Sequence, residues 1–117
     1  MRRVLFDQNV PYPLKAYLTS CEVSTAEEKG WQRLSNGELI ARAEANFDVL
    51  ITCDQNVRYQ QNLSRREIAL VVLGSNIWPA VEERVEDITR AVEQASRGSF
   101  QFISIEPPKR IRRIDRQ

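Results

Sequence analysis

The chain has 117 residues, which suits one domain and leaves little room for two. Hydrophobic residues make up 42% and charged residues 28%, the balance of a soluble globular protein, and the formal net charge is only +1. Histidine is absent, which excludes imidazole general bases, imidazole metal ligands and nucleophilic triads built on histidine. Chemistry must then run on carboxylates, amides, hydroxyls, lysine or arginine, with or without a hard metal ion.

Arg3 to Phe6 is the first predicted strand, and it runs straight into Asp7-Gln8-Asn9-Val10. Pro11 and Pro13 suit the first turn of a helix, and Leu14, Tyr17 and Leu18 continue it at helical spacing. Cys21 to Val23 is a short second strand. Thr25 caps a one-turn helix through Glu28, favoured by its glutamates, and Gly30 stops it. Ser35 with Glu38 fits a capping box for the next helix, whose apolar face is Leu39, Ile40, Ala43 and Phe47. The third strand lies within Asp48 to Thr52. It leads through Cys53 into a second Asp-Gln-Asn-Val, residues 54–57.

A short helix is predicted over Val57 to Leu63. Ile68 to Leu73 is the most hydrophobic strand, as burial on both faces requires. From Pro79, the stripe Val81, Val85, Ile88, Val92 and Ala95 predicts one helix ended by Gly98. Phe100 to Ile105 is a fifth strand at a sheet edge, broken by Pro107-Pro108. Strand and helix alternate throughout. The expected fold is therefore α/β: a three-layer sandwich with a central, mainly parallel sheet of about five strands and helices on both faces. Residues 1–105 form this domain, and residues 106–117 form a basic tail, in which Lys109, Arg110, Arg112, Arg113 and Arg116 outnumber Glu106 and Asp115.

The doubled Asp-Gln-Asn-Val carries the chemical argument. Asp7 and Asp54 both follow strands, so a parallel sheet sets them on one edge, where ligands gather in such folds. Asp48 precedes its strand and belongs at the opposite edge, as a surface residue or a strand-start cap. Glu38, in the first turn of its helix, is a third candidate carboxylate for the Asp7–Asp54 edge. Converging carboxylates call for a cation, and hard ions prefer oxygen ligands. Asn9 and Asn56 add amides, and Arg58, Tyr59, Arg65 and Arg66 follow closely, with an aromatic ring for base stacking. Asp and Asn after strands, and Glu in a capping box, are also common as plain caps and turn formers.

These segments resemble a known group. Leu5 to Pro11, Gly30-Trp31, Leu34 to Leu39, Phe47 to Asn56 and Ile68 to Leu73 are similar to PIN-like proteins of the DUF5615 family, related to Mut7-C and VapC-like nuclease domains. The resemblance spans about residues 3–95. It implies a PIN-like sandwich and a Mg²⁺- or Mn²⁺-dependent ribonuclease site, with Asp7, Asp54 and Glu38 as catalytic and metal-binding residues. Read from their own places beside these acids, Asn9, Asn56, Arg58 and Tyr59 are the candidates to hold the substrate. It also implies the toxin half of a type II toxin–antitoxin pair, with RNA, a cognate antitoxin and a second copy of the chain as partners. Gln8, Asn36 and Asn56 stand where many relatives carry acids, which supports an alternative: a catalytically weak PIN-fold module that binds RNA or a partner protein. No apolar run approaches the ~20 residues of a membrane span, and no signal-peptide pattern follows Met1. The expected location is the cytoplasm, where Cys21 and Cys53 stay reduced.

Overall fold

The computed structural model describes residues 1–56 and 66–106. Five strands, β1 (Arg2–Phe6), β2 (Cys21–Thr25), β3 (Val49–Thr52), β4 (Ala69–Leu73) and β5 (Phe100–Ile103), form one sheet in the order β2-β1-β3-β4-β5. Every pairing is parallel, as strand–helix alternation predicts. Chain direction across the sheet reverses between β1 and β3. In open parallel sheets this switch point opens a crevice beyond the strands' C-terminal ends.

Period-two alternation sends successive side chains to opposite faces, and each face is covered. Val4, Phe6, Val49, Ile51 and Val71 pack with Leu14 and Leu18 and with Val81, Ile88 and Val92. Leu5, Leu50, Leu70 and Val72 pack with Ala26, Leu39, Ile40 and Ala43. The architecture is thus the expected three-layer α/β sandwich. Both faces of β3 and β4 are buried along their whole length, which explains their unbroken apolar sequences.

The helical elements depart from the sequence expectation in detail. Pro11 and Pro13 start a 3₁₀ helix, Tyr12–Tyr17, rather than an α-helix. Helix α1 (Ala26–Lys29) carries a complete capping box between Thr25 and Glu28, and Gly30 closes it at φ +76°. Helix α2 (Asn36–Ala43) has the expected box between Ser35 and Glu38. The single helix expected from Pro79 is two, α3 (Trp78–Glu82) and α4 (Val85–Gln94). Arg84 leaves helical geometry at φ −115°, ψ 18°, where its guanidinium holds Asp87 and the Ser104 carbonyl. The apolar stripe survives the break: Val81, Ile88, Val92 and Ala95 are all buried. Helix α4 ends at Gln94, and Gly98 serves instead in the turn into β5, at φ +70°.

β5 ends at Ile103, two residues short of the sequence expectation, although Ile105 is still buried. Gly74 explains how the chain after β5 passes so close to β4. A Cβ there would lie 3.0 Å from the Ile105 amide nitrogen and 3.2 Å from the Ile103 carbonyl. Asp48 sits at the opposite sheet edge, as expected, and its carboxylate accepts from the Arg3 N–H at 2.9 Å. The helix expected over residues 57–63, and the tail beyond Glu106, lie outside the described residues. Cys21 and Cys53 are free thiols. Among the described residues no helix is long and apolar enough to cross a membrane.

Candidate functional site

Parallel pairing of β1 with β3 brings the two Asp-Gln-Asn segments together. Phe6 stands opposite Ile51, so β3 runs one residue, Thr52, past the end of β1. The Asp7 N–H then donates to the Ile51 carbonyl at 2.9 Å, and the Val10 N–H donates back to the Asp7 carbonyl in a turn. A cleft of about 640 Å³ opens at this point. Asp7, Asn9, Cys53 and Asp54 line it, with Gly74, Ser75 and Asn76 from the end of β4.

Thr52 links the Asp7 carboxylate to the Asp54 backbone. It is 2% exposed, the one buried polar residue among those described. Its hydroxyl donates to Asp7 Oδ2 at 2.8 Å and accepts the Asp54 N–H at 3.0 Å. The Gln8 N–H also donates to Asp7 Oδ1 at 2.7 Å. Asp54 is held from two sides. The Asn36 amide donates to its Oδ2 at 2.8 Å, and the Asn56 N–H donates to its Oδ1 at 3.0 Å. These two bonds, the Asn36 bond first, hold the Asp54 carboxyl below the usual carboxylate range, against a smaller desolvation effect.

Neither aspartate has an ion-pair partner among the described residues. No lysine or arginine is among the described residues lining the cleft. Two carboxylates therefore face one crevice with no cationic side chain among the described residues. Cys53 sits beside them. Burial first, and the Asp7 charge second, push its thiol up to about 12. Its Sγ donates to the Ser75 and Asn9 carbonyls at 3.5 and 3.7 Å.

The sequence-predicted residues divide clearly. Asp7, Asp54 and Asn9 line the cleft together. Asn56 contributes its backbone N–H to Asp54 and is not among the lining residues. Glu38 is not among them either. Its carboxylate accepts from the Ser35 N–H and hydroxyl, both at 3.1 Å, and these bonds lower its carboxyl. The α2 N-terminus does reach the site edge, but it presents Asn36. Arg58, Tyr59 and Arg65 lie outside the described residues. Arg66 binds Glu44 at the far end of α2.

Gln32, Asn36, Ser75 and Asn76 line the cleft without having been singled out from sequence as site residues. For Ser75 and Asn76 a signal existed: they follow a buried strand, as Asp7 and Asp54 do. For Gln32, in the loop between α1 and α2, none did.

Among the described residues no group of three or more Cys, Asp or Glu side chains converges as a metal site. The carboxylates of Asp7 and Asp54 at the cleft are oxygen donors of the kind hard divalent cations prefer. Comparison of the chain with protein-family models, curated proteins and solved structures returns no match.

Proposed function

We propose that the protein is a metal-dependent ribonuclease of PIN-like type, acting as the toxin of a type II toxin–antitoxin pair in the cytoplasm. The observation that carries the nuclease reading is the pair Asp7 and Asp54, unpaired with any described cation in one crevice at the switch point. Such a pair attracts a hard cation, and an RNA phosphate needs that cation before it can approach. Asp7 and Asp54 would hold the ion, which when bound neutralises phosphodiester charge and activates water. Thr52 and the Gln8 N–H orient Asp7, while Asn36 and the Asn56 N–H orient Asp54. Each carboxylate keeps further acceptor capacity, since an ionised carboxylate offers about four lone-pair sites. The toxin role, the antitoxin partner and a homodimer rest on the sequence resemblance alone.

Full-length protein with Mn²⁺ is expected to cut single-stranded RNA, and its expression to slow bacterial growth. Asp7→Asn and Asp54→Asn should each lower cleavage by at least about a hundredfold while leaving the circular dichroism spectrum unchanged. Cleavage at the wild-type rate by both variants would remove the assignment. A second reading is favoured by the small carboxylate set and by Asn36 standing at Asp54: a PIN-fold module that binds RNA or a partner protein without cutting. RNA binding retained by both variants, with no cleavage by the wild type, selects that reading.

A further inference from the structure

An RNA strand reaches this cleft with several phosphates charged, and the cleft wall offers them little. No lysine or arginine among the described residues lines it. A metal ion neutralises charge at the phosphate it touches, and the neighbouring phosphates stay charged. Single-stranded nucleic acid is otherwise held along its backbone by lysine and arginine. Those cations are concentrated at one end of this chain. Residues 107–117 carry five cations and one acid, a net +4; since the whole chain is +1, residues 1–106 carry −3.

That end starts at the rim of the cleft. β5 is parallel to β4, so it finishes on the sheet edge where Asp7 and Asp54 lie. The chain leaving β5 is pinned there. The Gly74 N–H donates to the Ile103 carbonyl at 2.9 Å, a Cβ on Gly74 would stand 3.0 Å from the Ile105 amide nitrogen, and Ile105 is buried. Gly74 itself lines the cleft, and its carbonyl accepts from Gln55, another lining residue, at 3.2 Å. Lys109 follows Ile105 by four residues and Arg113 follows it by eight. At ~3.5 Å per extended residue, those spans reach at most about 14 and about 28 Å. Arg58 and Arg65 give the segment after Asp54 two cations; the tail gives five.

We infer that the basic tail is the phosphate-holding arm of this cleft: single-stranded RNA lies across the Asp7–Asp54 edge with its backbone gripped by Lys109, Arg110, Arg112, Arg113 and Arg116. The inference rests on the ribonuclease reading and adds what holds the substrate. The test compares two full-length variants that lose the same charge. One carries Arg110→Gln, Arg112→Gln and Arg113→Gln in the tail. The other carries Arg2→Gln, Arg42→Gln and Arg97→Gln at the opposite sheet edge: at the start of β1, in the last turn of α2 and in the turn before β5. Anisotropy of a labelled single-stranded RNA in EDTA reads binding apart from metal-dependent cleavage. The tail variant should bind at least about tenfold more weakly than wild type, and the slope of log K against log salt should flatten by about 2. The opposite-edge variant should stay within about threefold of wild type.

Equal weakening in both variants, or an unchanged tail variant, overturns the claim, and so does a wild-type chain that binds no RNA. Mn²⁺-dependent cleavage by the wild type decides the nuclease reading separately. RNA bound through the tail but never cut leaves the tail claim standing and removes the ribonuclease. RNA cut with the same KM by wild type and tail variant overturns the tail claim and leaves the ribonuclease standing.

Discussion

A single hydroxyl joins the two halves of the site. Thr52 closes β3, is buried, and bonds both to Asp7 across the strand pair and to the backbone N–H of Asp54. Thr52→Val keeps the shape and removes both bonds, leaving the Asp54 N–H without its acceptor. We expect a loss of about 1–3 kcal/mol in denaturant unfolding and a larger proportional fall in RNA cleavage. An unchanged cleavage rate would show that Thr52 only supports the fold. At this scale the sequence revealed the acids but not their company. Asp7 and Asp54 were legible because each follows an apolar run with the same four letters. Asn36 was visible as a departure from an acidic position, yet its bond to Asp54 crosses from one helix to another strand's loop, and no local spacing encodes such a bond. Glu38 shows the converse. Its capping-box spacing was read correctly, and that same local bond turns the carboxylate toward Ser35.

Among the elements, α2 does two things with its two ends. Its N-terminus brings Asn36 to the cleft, and its C-terminal Glu44 anchors the entry to β4, accepting from the Arg66 guanidinium and from the Glu67 N–H at 3.0 Å. The Glu67 N–H, first, and Arg66 lower the Glu44 carboxyl against a desolvation effect. A carboxyl lowered in the folded state stabilises fully above its ordinary unfolded value, and that stability is lost as pH falls through the lowered value. Glu44→Gln should therefore cost up to about 1 kcal/mol at neutral pH, and the gap to wild type should close in acid. Urea unfolding at pH 7 and pH 3 checks this, and a gap that persists undiminished at pH 3 contradicts it. Capping boxes and strand cores were legible because they are local. The break at Arg84 was not, since the apolar stripe runs through it, and the Ser104 carbonyl that the Arg84 guanidinium meets there lies 20 residues along the chain, just past β5.

For the whole molecule, strand alternation predicted a parallel sheet with two covered faces, but not its order. That order, β2-β1-β3-β4-β5, decides the function-bearing geometry, because it makes β1 and β3 neighbours at the switch point and sets Asp7 beside Asp54. The charge pattern follows from the same arrangement: a near-neutral chain concentrates at one crevice two carboxylates that no cation among the described residues pairs. On the proposed function, this crevice binds a hard cation through both aspartates. Titration calorimetry of Mn²⁺ into the full chain tests it most directly. One ion per chain should bind with a Kd of about millimolar or tighter, weakened at least about tenfold in Asp7→Asn and in Asp54→Asn. No heat of binding up to millimolar Mn²⁺, or binding of equal strength in both variants, would contradict it.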